Sequence, residues 1–319
     1  MTNPQTGLFA LVSFVLTVTA CDRPPAFRGE SNARTDPDAN WFEVIETEPD
    51  AAVVTDAALR AAIKATGKPW RIRDRRTEIE MLLVPQGSFV MGNSLGDGAA
   101  TDRELPAHEV TLTDPYYLGR FEVTQSQWIR IMGGNPSSCV TIRDRPSLVA
   151  AKLTEGMTKL EAESAVPDTA PLHDHPVDSV TWRDASDFCA RAGLRLPTEA
   201  EWERACRAGA RTARYGQVDD IAWYRGNAGG ATHAVGQKAA NSLGIHDMLG
   251  NVGEWVNDWY DHYSPDPQTN PTGPGWESFR VVRGGSYSDD ANVVRSSFRS
   301  NEPPGRTVYY IGFRVAKSP

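Results

Sequence analysis

The sequence predicts an irregular, loop-rich α+β domain with few helices, and three observations carry that prediction. Short bursts of apolar residues with strand character occur at 79–92 and 108–123, and strict alternation returns near the C-terminus. Two helix starts between those bursts carry capping boxes, Thr124-Gln125-Ser126-Gln127 and Thr198-Glu199-Ala200-Glu201. Gly, Asn, Asp and Pro dominate residues 226–275, which leaves little of that stretch for regular structure. A few helices set among short strands define the α+β class.

In order along the chain, Leu8 to Ala20 (LFALVSFVLTVTA) is uncharged, too short to span a bilayer as a helix, and of the length of a signal-peptide core. It closes on Val18-Thr19-Ala20-Cys21, which resembles the lipobox of bacterial lipoproteins and implies acylation of Cys21. An ordinary cleaved signal peptide is the alternative, and the lack of Lys or Arg before the apolar run weakens either form of export signal. Residues 21–76 read as a polar tether with one short helix, Asp56 to Thr66. The folded domain is expected over 77–319. Residues 79–92 (IEMLLVPQGSFVMG) read as two strands joined by a tight turn, followed by strands at His108–Leu112 and Tyr116–Val123. A helix follows Thr124 and runs to Gly133-Gly134, and the weakly patterned residues 140–174 are taken as an insertion. Thr181 to Ala192 sets Trp182, Ala185, Phe188, Cys189 and Ala192 on one helical face, closed by Gly193. The helix capped by Thr198 turns Trp202, Ala205 and Cys206 inward and ends at Gly209. Strands return around Phe279–Val281 and at Ile311, Phe313 and Val315.

Composition narrows the function classes. The chain has 319 residues, 40% of them hydrophobic, with a net charge of −8. That is enough apolar material for a sizeable core, and the acidic balance with no cationic run excludes a nucleic-acid partner. Its four cysteines are too few for a disulfide scaffold in a chain this long.

Seven segments in order resemble the formylglycine-generating enzyme, or sulfatase-modifying factor, family. They are Val84-Pro85-Gln86-Gly87-Ser88-Phe89, Phe121-Glu122-Val123-Thr124, His175-Pro176-Val177 with Val180-Thr181-Trp182, Arg195-Leu196-Pro197-Thr198-Glu199-Ala200-Glu201-Trp202-Glu203, Gly250-Asn251-Val252-Gly253-Glu254-Trp255, Arg283-Gly284-Gly285-Ser286 and Gly312-Phe313-Arg314. The resemblance implies a variant of the C-type lectin fold. Its oxidase activity would need two cysteines shortly after the Gly-Gly-Ser motif, where copper(I) selects soft thiolates. Those positions are Asp289 and Val294 here, and no cysteine occurs between Ser288 and Arg314, so copper is not expected. Cys189 and Cys206 match family positions whose disulfide partners would align near Arg299 and Val315, so both read as buried packing residues. Cys139 is a loop thiol without an assigned partner.

Asp247, Gly250, Val252 and Glu254 match a structural calcium site of the family, and their oxygen-only donor set suits that ion. A plain turn in which Asp247 caps local N–H groups is the alternative. His173 and His175 are the only close histidine pair, with no third ligand evident for iron, and Ser286 has no readable His and Asp partners for hydrolase chemistry. The reading that results is a lipid-anchored protein of the bacterial cell envelope that uses the scaffold for binding or assembly. Its ligand would be a protein, peptide or glycan, and its surface Ser286, Tyr287, Ser288, Asp289, Trp259 and Tyr309. The competing reading is a metal-dependent oxidase acting on a protein or peptide.

Overall fold

The computed structural model describes residues 41–93, 98–138, 158 and 174–319, which fall within one compact unit beginning at Asn40. Cys21, Cys139, His173, the signal segment 1–20 and nearly all of the expected insertion lie outside the described residues.

Three sheets organise the described residues. The largest has five strands in the order β1 (Phe42–Glu46), β2 (Arg71–Asp74), β3 (Glu80–Val84), β6 (Tyr116–Gly119), β12 (Ala316–Lys317), every neighbour antiparallel. A second pairs β4 (Gly87–Met91) antiparallel with β5 (His108–Leu112), and β5 runs parallel to the two-residue β8 (Gln268–Thr269). The third is ordered β10 (Arg299–Glu302), β9 (Arg280–Arg283), β7 (Gly253–Trp259), β11 (Ile311–Phe313), with β11 parallel to β7. The two strands expected over 79–92 are both present. They do not form a hairpin, because β3 joins the first sheet and β4 the second.

Among the described residues five α-helices connect the sheets: α1 (Ala57–Ala65), α2 (Gln125–Met132), α3 (Trp182–Ala192), α4 (Glu199–Arg207) and the single turn α5 (Val218–Ile221). Thr124, Thr181 and Thr198 each close a full capping box with the residue three places on. Gly133 and Gly193 end α2 and α3 in the left-handed region, whereas α4 ends one residue earlier than expected, at Ala208 with φ 45°. Trp128 of α2 stacks on Phe188 of α3 at 5.6 Å, and both meet the edge of Phe313 in β11. That trio joins two helices to the third sheet, burying large apolar area at one junction.

The expected tether over 21–76 is corrected from residue 41 onward. β1 and β2 are the outer strands of the main sheet, and Val54, Ile63, Trp70 and Ile72 are buried. The misreading has a physical cause. In Arg71-Ile72-Arg73-Asp74 the isoleucine points into the core, while the flanking arginines look like a solvated run until Glu80 and Glu46 answer them at 2.6 to 2.9 Å. A chain shortened to begin at Glu78 therefore strips two strands from the sheet and uncovers Met81 and Leu82. It should melt at least 10 °C below one beginning at Asn40 or aggregate on expression, as thermal unfolding by circular dichroism would register; equal melting temperatures would show that β1 and β2 are dispensable.

Candidate functional site

The site is built outward from α4. Its first-turn carboxylate, Glu199, receives two hydrogen bonds from Arg299 of β10 at 2.8 and 2.7 Å and one from Arg283 of β9 at 3.2 Å. Glu203, one turn on, binds Arg283 at 2.5 Å, Arg207 at 2.8 Å and the Gly92 N–H at 2.9 Å. Burial alone would raise the Glu203 carboxyl, and the Arg207 and Arg283 guanidiniums hold it below the usual carboxylate range. Between these, Trp202 donates its indole N–H to Glu254 at 2.8 Å. The helix thus fixes both β9, which leads into the Gly-Gly-Ser turn, and the Gly250–Glu254 segment.

After β9, Gly284 and Gly285 take positive φ and the chain folds into a tight turn. Asp289 closes it, accepting from the Ser286 N–H at 2.9 Å and the Ser286 hydroxyl at 2.7 Å. Arg225 clamps it from outside, donating its backbone N–H to the Asp289 carbonyl, its Nε to the Ser288 carbonyl and its guanidinium to Asp290. Val294 is fully buried. The two positions where the family oxidase would carry thiolates thus hold a turn-closing carboxylate and a core aliphatic side chain.

This geometry corrects part of the expected binding surface. Ser286 and Tyr287 are buried, at 0% and 4% exposure, because the turn packs down against Asn251, whose carbonyl accepts the Tyr287 N–H. Ser288 and Asp289 are half-buried, and Tyr309 is open at 54%. Tyr310 stands edge-on to Tyr309, its hydroxyl pKa raised by burial and then by the nearby Glu302 and Asp289, so these residues share a face with the turn. Trp259 takes its ring contacts elsewhere. It stacks with Trp182 and covers the guanidinium of Arg280, whose centre lies 3.5 Å from the Trp259 ring and 3.7 Å from that of Trp182.

The expected calcium residues also lie in one turn. Asp247 has φ 53° and accepts the Gly236 N–H at 2.6 Å; Gly250 has φ 80°, and a Cβ there would stand 2.2 Å from the Trp223 carbonyl oxygen. Glu254 accepts from Arg314 on both oxygens, at 2.7 and 2.6 Å. Two participants escaped the sequence reading. Glu122 reaches in to bind the Val252 N–H and the Asn251 side chain, and Arg314 also donates to the carbonyls of Gly119, His246 and Asp247. Both stand inside the family-like segments Phe121-Glu122-Val123 and Gly312-Phe313-Arg314, the one signal that could have pointed to them. Three buried carboxylates therefore surround a single guanidinium. Burial first, and then Asp247 and Glu254, push Glu122 well up, and burial carries Asp247 to about 6. Among the described residues no three His, Cys, Asp or Glu side chains stand in metal-ligating geometry, so a cation here would complete its shell with backbone carbonyls.

Cys189 and Cys206 are free, buried thiols, as their helix faces predicted. Burial raises both, Cys206 to about 12, with the Ser296 hydroxyl 3.4 Å away.

A fold of this kind, with its oxidase positions filled by Asp and Val, defines a non-thiolate variant of a sulfatase-modifying scaffold, and the comparisons place it. Residues 70–319 match the model of the sulfatase-modifying factor enzyme 1-like domain, and the chain belongs to that family. It is 30% identical over 300 residues to the formylglycine-generating enzyme of Streptomyces coelicolor, covering 80% of this chain and 94% of that one. It is also 30% identical to chaperone protein LppX of Paenibacillus barcinonensis, over 69% of this chain and 82% of that one. The solved structure of PvdO from Pseudomonas aeruginosa superposes with a TM-score of 0.63 at 25% identity, covering 78% of this chain and 98% of PvdO.

Two outcomes follow from the ionisation pattern. Asp247 is raised from 3.8 to about 6 in the folded state, so the fold holds that proton more tightly than the unfolded chain does. Its contribution is favourable below about pH 4 and is lost as pH rises through 6, a change on the order of 3 kcal/mol. Asp247→Asn, which tolerates the left-handed backbone, should reduce the pH slope of stability across that window in urea unfolding with chelator present, Asp258, raised by burial to about 8, and Glu122 keeping the remainder; an unchanged pH slope would refute the assignment. The two helix thiols should resist iodoacetamide at pH 8 until the protein unfolds, with mass spectrometry counting the labels.

Proposed function

We propose that this protein is an exported, lipid-anchored member of the family that binds or assembles a protein, peptide or glycan partner in the cell envelope and does not carry out cysteine-based copper oxidation. The observation that carries the reading is the pair at 289 and 294. Copper(I) needs soft thiolates, and a carboxylate bonded to Ser286 and a valine at 0% exposure offer none. The similarity to a relative named as a chaperone supports a non-catalytic use of the scaffold. The face formed by Ser288, Asp289 and Tyr309 is the partner surface in this reading.

The decisive experiment incubates purified protein under oxygen with a Cys-x-Pro-x-Arg peptide, with and without added copper, and follows thiol-to-aldehyde conversion by mass. No conversion and no stoichiometric copper is the expected result. Turnover that survives metal stripping would overturn the proposal. Anchoring is tested separately: Cys21→Ser should move the protein from the membrane fraction to the soluble one, and continued sedimentation with membranes would contradict lipidation.

Calcium belongs to the same proposal, on the surplus of buried negative charge around Arg314. The Asp247 carboxylate with backbone carbonyls of the turn would hold the ion, which would supply the second positive charge that Glu122, Asp247 and Glu254 lack. One millimolar calcium should raise the melting temperature more at pH 8 than at pH 5, since Asp247 must ionise to bind it, and Asp247→Asn should remove the effect. A melting temperature indifferent to calcium at pH 8 would sink this part.

A further inference from the structure

Arg204 is a half-buried arginine bonded to carbonyls rather than to a carboxylate, a trait it shares with Arg280, whose guanidinium lies against the rings of Trp182 and Trp259. Arg195, Arg207, Arg283, Arg299 and Arg314 each bind a carboxylate. The Arg204 guanidinium is instead bonded to backbone carbonyls, those of Pro85 at 2.8 and 3.2 Å, Gln86 at 2.9 Å and Ser88 at 3.5 Å. The backbone makes room for it, because Gly87 has φ 147° and a Cβ there would lie 2.8 Å from the Arg204 Nη2. Burial without a counter-ion draws Arg204 below the ordinary arginine value, whereas Arg195, Arg283, Arg299 and Arg314 are held above it by their carboxylates. A half-buried cation whose partners are all carbonyls gains from an anion, and a ligand can supply one.

The surroundings say what kind of ligand. Arg204 lines a cavity of about 730 Å³ between α1, β4 and the C-terminal end of α4. The lining also holds apolar residues, Leu59 and Ala62 of α1 and Phe89 and Val90 of β4, and Val90 is 46% exposed. Helix α1 buries one side chain fully, Ile63, while Leu59 packs partly against the core and also lines the cavity. The other charges on the wall are accounted for or exposed. Arg207 is paired with Glu203, Asp56 caps α1 through the Ala58 and Leu59 N–H groups, and Arg211 and Glu109 are exposed.

We propose that this cavity binds a single-chain amphiphile with a carboxylate head, the head meeting Arg204 and the chain lying along Leu59, Ala62, Phe89 and Val90. The Arg204 Nη1, whose one protein contact is the Ser88 carbonyl at 3.5 Å, keeps donor capacity for a carboxylate oxygen, and the apolar lining supplies the area that a free anion could not use.

The test uses the full chain, stripped of detergent, in isothermal titration at pH 7 with decanoate, decanol, decylammonium, acetate and inorganic phosphate. Decanoate should bind once per chain and at least tenfold more tightly than decanol, with decylammonium, acetate and phosphate showing no saturable binding. Arg204→Gln should reduce decanoate affinity to that of decanol and leave decanol unchanged. Ala62→Trp, on a half-exposed helix position, should abolish both while preserving the melting temperature, and it carries the test should Arg204→Gln fail to fold. Equal affinity for the three ten-carbon probes would mean surface adsorption and would overturn the proposal. So would Arg204-dependent binding of phosphate alone, which would make this a simple anion site, or decanoate binding that survives Ala62→Trp.

Discussion

The carboxylates of Glu199, Glu201 and Glu203 leave one short helix, and each meets arginine. Glu199 holds Arg299 and Arg283 from two strands of the third sheet, Glu201 holds Arg195 from the segment that leads into the helix, and Glu203 shares Arg283 and ties Arg207 back along α4. Backbone ladders join some distant segments, β12 to β6 and β5 to β8, and these ion pairs fix what the ladders do not, the docking of the third sheet on α4. Removing one partner would leave an uncompensated buried charge, a loss of about 3–5 kcal/mol in comparable pairs. The same pairs add little net stability over a well-packed apolar core, so what they contribute is register: β9 and β10 can dock on α4 in one way.

That constraint reaches the candidate surface by two routes. Arg283 is the last residue of β9 and immediately precedes the glycine pair that starts the Gly284–Asp290 turn, so the turn's position is inherited from Glu203. Trp202, on the same helix, fixes Glu254, and Glu254 fixes Arg314. The turn that presents Asp289 and the loop that carries Asp247 are thus both referred to α4, and the exposed tyrosine at 309 stands beside a rigidly placed backbone.

How much of this could be read from the sequence follows from the range of the interactions involved. The helices were legible because a capping box is local: Thr124 with Gln127 and Thr198 with Glu201 announce themselves within four residues. The loss of thiolates at 289 and 294 was equally plain, being a matter of residue identity. Strand partnership was not legible. β3 and β4 adjoin in sequence yet serve different sheets, and Arg71-Ile72-Arg73 looks solvated until Glu80 is seen across the ladder. Ser286 and Tyr287 were placed on the surface because the turn that buries them depends on Asn251, far away in sequence. Buried arginine was the hardest to foresee, since nothing near Arg295 or Arg314 in the chain reveals that Glu104 or Glu254 will meet it in the interior.

The resemblance puts a disulfide partner near Arg299, and the structure puts a guanidinium there, doubly hydrogen-bonded to Glu199. A covalent tie is made once and depends on an oxidant; an ion pair reforms each time the chain refolds. Cys189 and Cys206 are thereby released from any bracing duty, and the core they sit in is held in a way that reductants do not reach. The contact between Arg299 and Glu199 that docks β10 on α4 therefore does not depend on the redox poise of the surroundings.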